Sequence, residues 1–385
     1  MRVLWLASWY PDEYQKENGD FIQRHAEAAA TLLPIDVIHV VQAGSNVNTI
    51  KYETINKTTT LREFIYSFKY RKTGITFIDK LRYNIKYQLF YMKLLDNYIR
   101  EYGIPELIHI HAPIKSGIIG RKAAKFWKIP YIVSEHSSMY DSRARDTYAK
   151  RSIYFRKQLK KVLKDADAII NVSAAMNQQI ASLFSVKKLL VIRNVVDTAL
   201  FNYFPNNANE KFKWLHVSSL YPLKNVEKII EAFSKIPPEI VNWELQIIGD
   251  QYQSVHTLVY QKALSNKVIF LGKLPHSEVA DYMQQASAFI MFSKHENFPC
   301  VVVEALCCGL PIVASDVGGI KEAVNISNGI LVENDNVEQL KNAIITCMNN
   351  YQLYNRASIA ANAKELYSIP TIANEFVMAY RKIIS

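Results

Sequence analysis

A chain of 385 residues is long enough for two core-forming domains, because single hydrophobic cores stop growing near roughly 250–300 residues. Its 49% apolar content excludes a disordered chain, and no run approaches the roughly 18 consecutive apolar residues of a membrane span. The net charge of +11 is confined to one half, since residues 1–200 carry 31 Lys/Arg against 18 Asp/Glu and residues 201–385 carry 15 against 17.

In chain order, the opening MRVLWLASWYPDEY meets acid and proline too soon for a signal peptide and reads as a first strand. Strands are predicted at Val3–Leu6, Asp36–Val41, Leu107–Ile110, Tyr131–Val133, Ala168–Val172 and Leu189–Ile192. Helical periodicity lies between them at Phe21–Leu33, Ile78–Tyr102, Ser116–Trp127 and Asp146–Lys164. The polar stretch Tyr203–Lys211 interrupts the pattern and predicts a linker. Strands then resume at Trp214–Ser218, Glu244–Ile248, Val268–Leu271, Ala288–Phe292, Ile312–Ala314 and Ile330–Val332. Helices at Val226–Phe233, Val337–Asn349 and Tyr354–Tyr367 accompany them, and the amphipathic Thr371–Ile384 follows Pro370. Strands alternating with helices imply α/β domains with doubly wound parallel sheets. The expected division is residues 1–200, rejoined by the helix at 371–385, and residues 201–370. Open sheets of this class bind ligands at the carboxyl ends of their strands, so two facing sheets would create a cleft.

The basic excess gathers in residues 57–100, with ten basic and three acidic residues including Lys69, Arg71 and Lys72, and in residues 143–164, with nine and one. An aromatic-laced basic helical face of this kind suits anionic lipid headgroups, an anionic acceptor or nucleic acid, or serves only solubility. The four cysteines have no metal-ligand spacing and read as reduced thiols in a cytoplasmic core.

The stretch His295–Ile320, HENFPCVVVEALCCGLPIVASDVGGI, carries the densest chemistry. Glu296 sits in a loop and Glu304 follows eight residues later in an apolar helix, where an unpaired buried carboxylate would be costly. Pro299 suits the first helical position, and the amides that follow it, from Cys300 and Val301 onward, form a positive helix end able to hold a phosphate. Carboxylates on either side would bind sugar and ribose hydroxyls, which predicts a nucleotide-sugar pocket. Lys224 lies between a strand and a helix in VSSLYPLKN, where its ammonium would neutralise a leaving diphosphate unless it is an ordinary surface lysine.

His136 follows a strand end among Glu135, Ser137 and Ser138, which suits an active-site role, although a lone histidine is often structural. His109 and His111 read mainly as packing and cleft-wall residues, with substrate contact as the lesser alternative, and no third ligand has the spacing of a metal site. Gly19 would let the backbone approach a phosphate or sugar closely, or it belongs to an ordinary turn with Asp20 as helix cap. Neither a G-x-G-x-x-G nor a P-loop motif is present, so dinucleotide oxidoreductase and P-loop readings lack their fingerprints.

Together these residues resemble the retaining glycosyltransferases of family four. The E-x7-E spacing of Glu296 and Glu304 and the following CCGLPIVASDVGG are specific, with supporting matches at Arg193–Asp197 with Phe201, Ile248–Asp250 and Phe270–Gly272. The resemblance implies GT-B architecture, two Rossmann-like doubly wound parallel-sheet domains facing across a cleft. It places Glu296 near the reacting carbon of the sugar, Glu304 on the ribose and Lys224 on the diphosphate. It further places the amides of Asn297, Phe298 and their successors on sugar hydroxyls and phosphate, His136 beside the sugar, and the backbone of Gly272, Lys273 and Leu274 at the base edge. The loop around Gly19 looks like the family's glycine loop facing the donor phosphates. Three departures stand out. Ser218 and Ser219 replace the usual Gly-Arg, removing one cation of the diphosphate clamp, while Gln251 and Val195 replace common glycines.

The implied reaction moves a sugar from a nucleotide diphosphate, UDP- or GDP-linked, to an acceptor hydroxyl with retention, without a metal or resident cofactor. By the same resemblance, a donor phosphate oxygen takes the acceptor proton. The basic first domain would receive a glycan or lipid-linked saccharide acceptor at the inner face of a cell membrane, as in bacterial surface polysaccharide or lipopolysaccharide assembly. No nucleic acid partner is expected. The alternatives are a GT-B-related sugar-nucleotide epimerase or phosphorylase, the latter needing a pyridoxal lysine and a longer chain, and a non-catalytic membrane- or RNA-binding protein.

Overall fold

The computed structural model describes residues 1–42, 52–68, 70, 73–74, 76–113, 115–144, 146–205, 211–219, 222–250 and 253–385. Lys69, Arg71, Lys72, Gln251, residues 206–210 of the expected linker and Leu220 and Tyr221 ahead of Lys224 lie outside the described residues. The chain folds as two compact units. One holds Met1–Val172, Asn177–Ile192 and Ile372–Ser385, and the other holds Ser173–Met176 and Arg193–Thr371.

The first unit contains β1 (Val3–Ala7), β2 (Ile35–Gln42), β3 (Tyr52–Asn56), β4 (Leu61–Phe68), β5 (Leu107–His111), β6 (Tyr131–Glu135), β7 (Ala168–Asn171) and β8 (Leu189–Val191). They form one sheet in the order β3-β4-β2-β1-β5-β6-β7-β8. Every residue of β1, β5, β6 and β7 is buried. Strands covered by helices on both faces read as continuous apolar runs, which is why they are visible in the sequence.

The hairpin of β3 and β4 was not expected, and its antiparallel pairing adds an edge to an otherwise parallel sheet. Polar residues hide it. Glu63 of β4 is buried and accepts from the Tyr10 hydroxyl at 2.6 Å and the Gln23 amide at 2.9 Å. Arg62 stands opposite Asp36 in the register and grips this buried carboxylate through Nε at 2.6 Å and Nη2 at 2.8 Å, with the Tyr98 hydroxyl as a further donor. Charges that would mark a surface loop are inside because they meet partners there.

Several helix starts also differ from expectation. The predicted Asp146–Lys164 helix begins only at Ile153, because the Ser152 hydroxyl accepts from the Phe155 amide at 3.2 Å and sets the start there. Ahead of it, Tyr148–Lys150 form a single 3-10 turn. The last helix, Ile369–Ile384, starts before Pro370, since a proline in the first turn has no intrahelical N–H bond to lose. Asp20 is the first residue of the helix Asp20–Ala30 rather than its cap; Gly19 takes the cap position at φ 74°.

The second unit contains β9 (Phe212–Val217), β10 (Trp243–Ile248), β11 (Val268–Gly272), β12 (Ala288–Met291), β13 (Ile312–Ser315) and β14 (Gly329–Val332). All pair in parallel, in the order β11-β10-β9-β12-β13-β14. Trp214, Phe233, Trp243, Ile290, Phe292 and Val313 form the centre of its core. The chain runs outward from β9 to β11, then returns to lay β12 on the other side of β9. The carboxyl ends of β9 and β12 therefore flank the point where strand order reverses, the place where such sheets bind ligands.

Replacing Arg62 with alanine is expected to lower unfolding free energy by about 3 kcal/mol, because it strands the buried Asp36 carboxylate. Urea denaturation measures this, and a loss below about 1 kcal/mol would mean that Tyr98, with Arg2 Nε 3.9 Å from the same carboxylate, satisfies Asp36.

Candidate active site

The strand reversal brings two sequence-distant residues together. Lys224 closes the 3-10 turn Pro222–Lys224 after β9, and Glu296 lies in the loop after β12. Their side chains meet, with Lys224 Nζ 2.6 Å from Glu296 Oε1. A backbone bond from the Lys294 amide to the Leu223 carbonyl, 2.8 Å long, ties the two loops beside this pair. The sequence assigned these residues separate tasks and did not reveal that they pair.

The Glu296 loop is clamped from behind. A Cβ on Gly318 would lie 1.6 Å from the Glu296 carbonyl oxygen, and one on Gly319 would lie 2.2 Å from that of Asn297. From another side the Asn194 amide donates to the Phe298 carbonyl at 2.6 Å. Phe298 packs inward against Tyr367, so only its backbone faces the loop surface. The helix that follows, Cys300–Cys307, begins one residue later than expected: Pro299 is its cap, in an extended conformation at ψ 125°. The Val302 amide bonds back to the Pro299 carbonyl at 3.2 Å, which leaves Cys300 and Val301 to form the leading edge of this helix end.

Glu304 sits in the second turn of that helix and is almost fully buried. Its partner is His276, whose Nε2 lies 3.0 Å from Oε1. His276 opens the helix His276–Gln285 directly after Gly272, Lys273 and Leu274, and its ring meets Phe201 edge-on at 4.7 Å. Gly272 has φ 71° and accepts from the Gly249 amide at 2.9 Å, so the loop expected to read a base is braced by its neighbour. Ser219 is exposed beyond β9. The other cysteines being buried, Cys300 alone is partly exposed, and burial pushes the Cys307 thiol up to about 12.

Sequence reasoning missed His216. It is fully buried near the end of β9, with Nδ1 2.9 Å from the Ile290 carbonyl and Nε2 2.8 Å from the Ser218 hydroxyl. The signal was a polar residue inside an apolar strand run, FKWLHV. His276 left no comparable mark, and Asn194 stood out only as part of the Arg193–Asp197 match.

His136 and Gly19 belong to the first unit. The His136 ring follows β6 and joins an aromatic cluster, 4.8 Å from Phe21 and stacked at 6.0 Å on His111. Burial, with the charge of His25 adding to it, pushes its pKa down to about 3, so the ring is neutral at pH 7. His109 and His111 are core residues; His109 bridges Tyr380 Oη at 2.8 Å and Ser134 Oγ at 2.7 Å. The close approach at Gly19 is made by its own chain, since a Cβ there would lie 2.7 Å from the Trp9 carbonyl carbon. That contact and the φ of 74° each favour glycine at this position. A groove of about 250 Å³ also opens in this unit between the helices Thr76–Tyr102 and Ile153–Asp165, lined by Tyr83, Tyr87, Tyr154, Phe155, Asn84 and Gln158 among others. Among the described residues, no three His, Cys, Asp or Glu side chains converge as a metal ion would need.

The sequence profile of Glycosyl transferases group 1 matches residues 202–365, and that of Glycosyltransferase Family 4 matches residues 65–200. An uncharacterized glycosyltransferase of Methanocaldococcus jannaschii is 30% identical over 313 residues, covering 80% of this chain and 83% of that protein. The N-acetyl-alpha-D-glucosaminyl L-malate synthase of Bacillus anthracis is 24% identical, over 57% of this chain and 58% of the enzyme. Among solved structures, sucrose-phosphate synthase from Thermosynechococcus elongatus superposes with a TM-score of 0.78 at 21% identity, covering 100% of this chain and 99% of that one. Anabaena HepE in complex with UDP gives 0.74 at 18% identity, covering 99% and 100%. Both share the GT-B fold.

The buried histidines set a pH dependence. Burial is the largest influence on His216 and its pKa falls to about 4. The unfolded value is near 6.5, so between these values the unfolded chain binds the extra proton. Stability is therefore complete above about pH 6.5 and declines as pH falls toward 4, by about 2 kcal/mol at pH 5 from this residue. Urea denaturation of His216→Asn at pH 7 and pH 5 should show a decline smaller by that amount; an undiminished decline would place the titration elsewhere.

Proposed function

This chain belongs to the glycosyl transferases group 1 family, with the GT-B fold, and from that premise we propose that it is a retaining transferase using a UDP- or GDP-linked sugar. The observation that carries this reading is the meeting of Lys224 and Glu296 at the strand reversal, with Glu304 on the adjoining helix. In this reading Lys224 turns from Glu296 to the donor diphosphate when the donor binds. The amides of Asn297, Phe298, Cys300 and Val301 meet sugar hydroxyls and phosphate, and Glu304, oriented by His276, takes the ribose hydroxyls. Gly272 to Leu274 would meet the base edge.

The barrier is departure of the nucleotide diphosphate. The bond from the anomeric carbon to the phosphate oxygen breaks, and the bond to the acceptor oxygen forms on the same face. The acceptor proton passes to a donor phosphate oxygen. Lys224 and the helix end at Cys300 stabilise the developing negative charge, the largest kind of contribution available to such a site. In this reading the charge stabilisation calls on no bound metal. Glu296, released from Lys224, orients the sugar, and His136, neutral at neutral pH, is suited to a hydrogen bond rather than to charge.

The acceptor in this reading is a glycan or lipid-linked saccharide held by the first unit. Its groove combines aromatic faces with the amides of Asn84 and Gln158, the pairing of apolar and polar surface that a sugar presents. The basic excess of residues 1–200 supports peripheral contact with the cytoplasmic face of an anionic membrane, and a role in bacterial surface polysaccharide or lipopolysaccharide synthesis. No helix among the described residues is long and apolar enough to cross a membrane. One described relative in fold, HepE, was captured with UDP-glucose, which favours a uridine donor as the first to test.

A thermal-shift panel of UDP, GDP and their sugars should raise the melting temperature with one base, as expected for a ligand that binds only the folded state. No shift with any of them would remove the donor reading. Lys224→Ala should weaken binding of the responding nucleotide, whereas Glu296→Gln should lower transfer by about 100-fold or more while that binding persists. Undiminished transfer by Glu296→Gln would take this residue out of the reaction.

A further inference from the structure

The helix Thr76–Tyr102 has one face packed into the first unit through Tyr87, Tyr91, Leu94, Leu95 and Tyr98. Its opposite face is apolar as well. Ile78, Leu81, Ile85, Leu89 and Met92 recur every three or four residues and are 41–63% exposed. At 1.5 Å per residue they form a continuous outward stripe about 21 Å long. Isolated exposed apolar residues are ordinary, but an unbroken row of five on one helix face marks an interaction surface.

Charge identifies the occupant. Arg82, Lys86, Lys93 and Arg100 are all exposed and run along one flank of the stripe, one turn on from Ile78, Arg82, Leu89 and Asp96 respectively. Asp79, the acid nearest the start of the stripe, is held by the Thr73 and Gly74 amides at 2.7 and 3.1 Å. Across the groove on the other flank, the helix Ile153–Asp165 exposes Ile153 and Tyr154 and then Lys157, Lys160, Lys161 and Lys164. Two copies packed through this stripe would set these four cations against their like, with Asp96 as an exposed acid beside them. A surface of acyl chains beneath anionic headgroups matches both the apolar row and its cations.

We propose that this face of the helix Thr76–Tyr102 docks the protein on an anionic membrane, with the five apolar side chains at the acyl boundary and the flanking cations on the headgroup phosphates. The inference rests on the proposed membrane contact and deepens it by naming the surface. The helix lies in the interface plane, because its other face is committed to the core. The groove beside the stripe then opens next to the headgroups, where a lipid-linked saccharide would present its sugar.

The test uses the full chain and sedimentation with vesicles of phosphatidylcholine alone or with added phosphatidylglycerol. The wild type should bind only the anionic vesicles, and raising the salt should weaken binding. The double variant Ile85→Ser/Leu89→Ser should lower the partition at least about ten-fold, since both side chains are exposed and lose only the membrane contact. Neutralising Arg82, Lys86 and Lys93 together to Gln should lower it further, at roughly five-fold per cation. Absence of wild-type binding, or variants that bind as the wild type does, would overturn the proposal. So would a wild-type dimer that the Ile85→Ser/Leu89→Ser variant converts to a monomer with vesicle binding unchanged, which would assign the stripe to a second copy. The nucleotide thermal shift should be the same in the wild type and these variants, so a failure of donor binding is read separately from a failure of docking.

Discussion

The loop that carries Glu296 runs so close to the turn at Gly318 and Gly319 that neither glycine has room for a side chain, and much of the second unit's candidate site follows from that contact. The backbone carbonyls of Glu296 and Asn297 press against the two Cα positions on one side, while Asn194 holds the Phe298 carbonyl from another. A loop fixed at three consecutive residues has little freedom left, so the backbone path at Glu296 and the start of the helix at Cys300 are set by the fold. Preorganised dipoles and charges need no reorganisation during a reaction, which is where such sites gain most of their effect.

The ion pair between Lys224 and Glu296 joins the loops that follow β9 and β12. Both groups are largely removed from water, and each would be costly to leave unpaired there. Their mutual contact compensates both charges and holds the ammonium beyond the carboxyl end of β9. Glu304 and His276 repeat the arrangement one helix turn away, with a buried acid oriented by a half-exposed ring. Both acids thus have partners drawn from segments that follow other strands, and the parallel sheet supplies the geometry that brings them together.

The helix Thr76–Tyr102 divides its labour around its circumference. One face is core, a second lines the aromatic groove, and a third presents the apolar row with its cations. A helix apolar on opposite sides is unusual for a surface element, and only the inward face is explained by the fold itself.

Much of the architecture was legible in the chain. Strands buried on both faces are short apolar runs, and the regular alternation of such runs with amphipathic helices leaves few topologies open. The E-x7-E spacing, the glycine pair and the lysine between strand and helix were likewise visible, because each is a local pattern. The hairpin at β3 and β4 was not, since Glu63 and Arg62 interrupt its apolar alternation and are accommodated only by Tyr10, Gln23 and Asp36 from elsewhere in the chain. The same limit hid the pairing of Lys224 with Glu296 across 72 residues and of His276 with Glu304 across 28. From its order of residues alone, this protein was committed to two nucleotide-fold sheets and to a set of candidate donor-binding side chains. Which of those side chains neutralise one another, and which apolar rows stay uncovered, was decided only when strands distant in the chain became neighbours, because charge pairing and burial depend on separation in space.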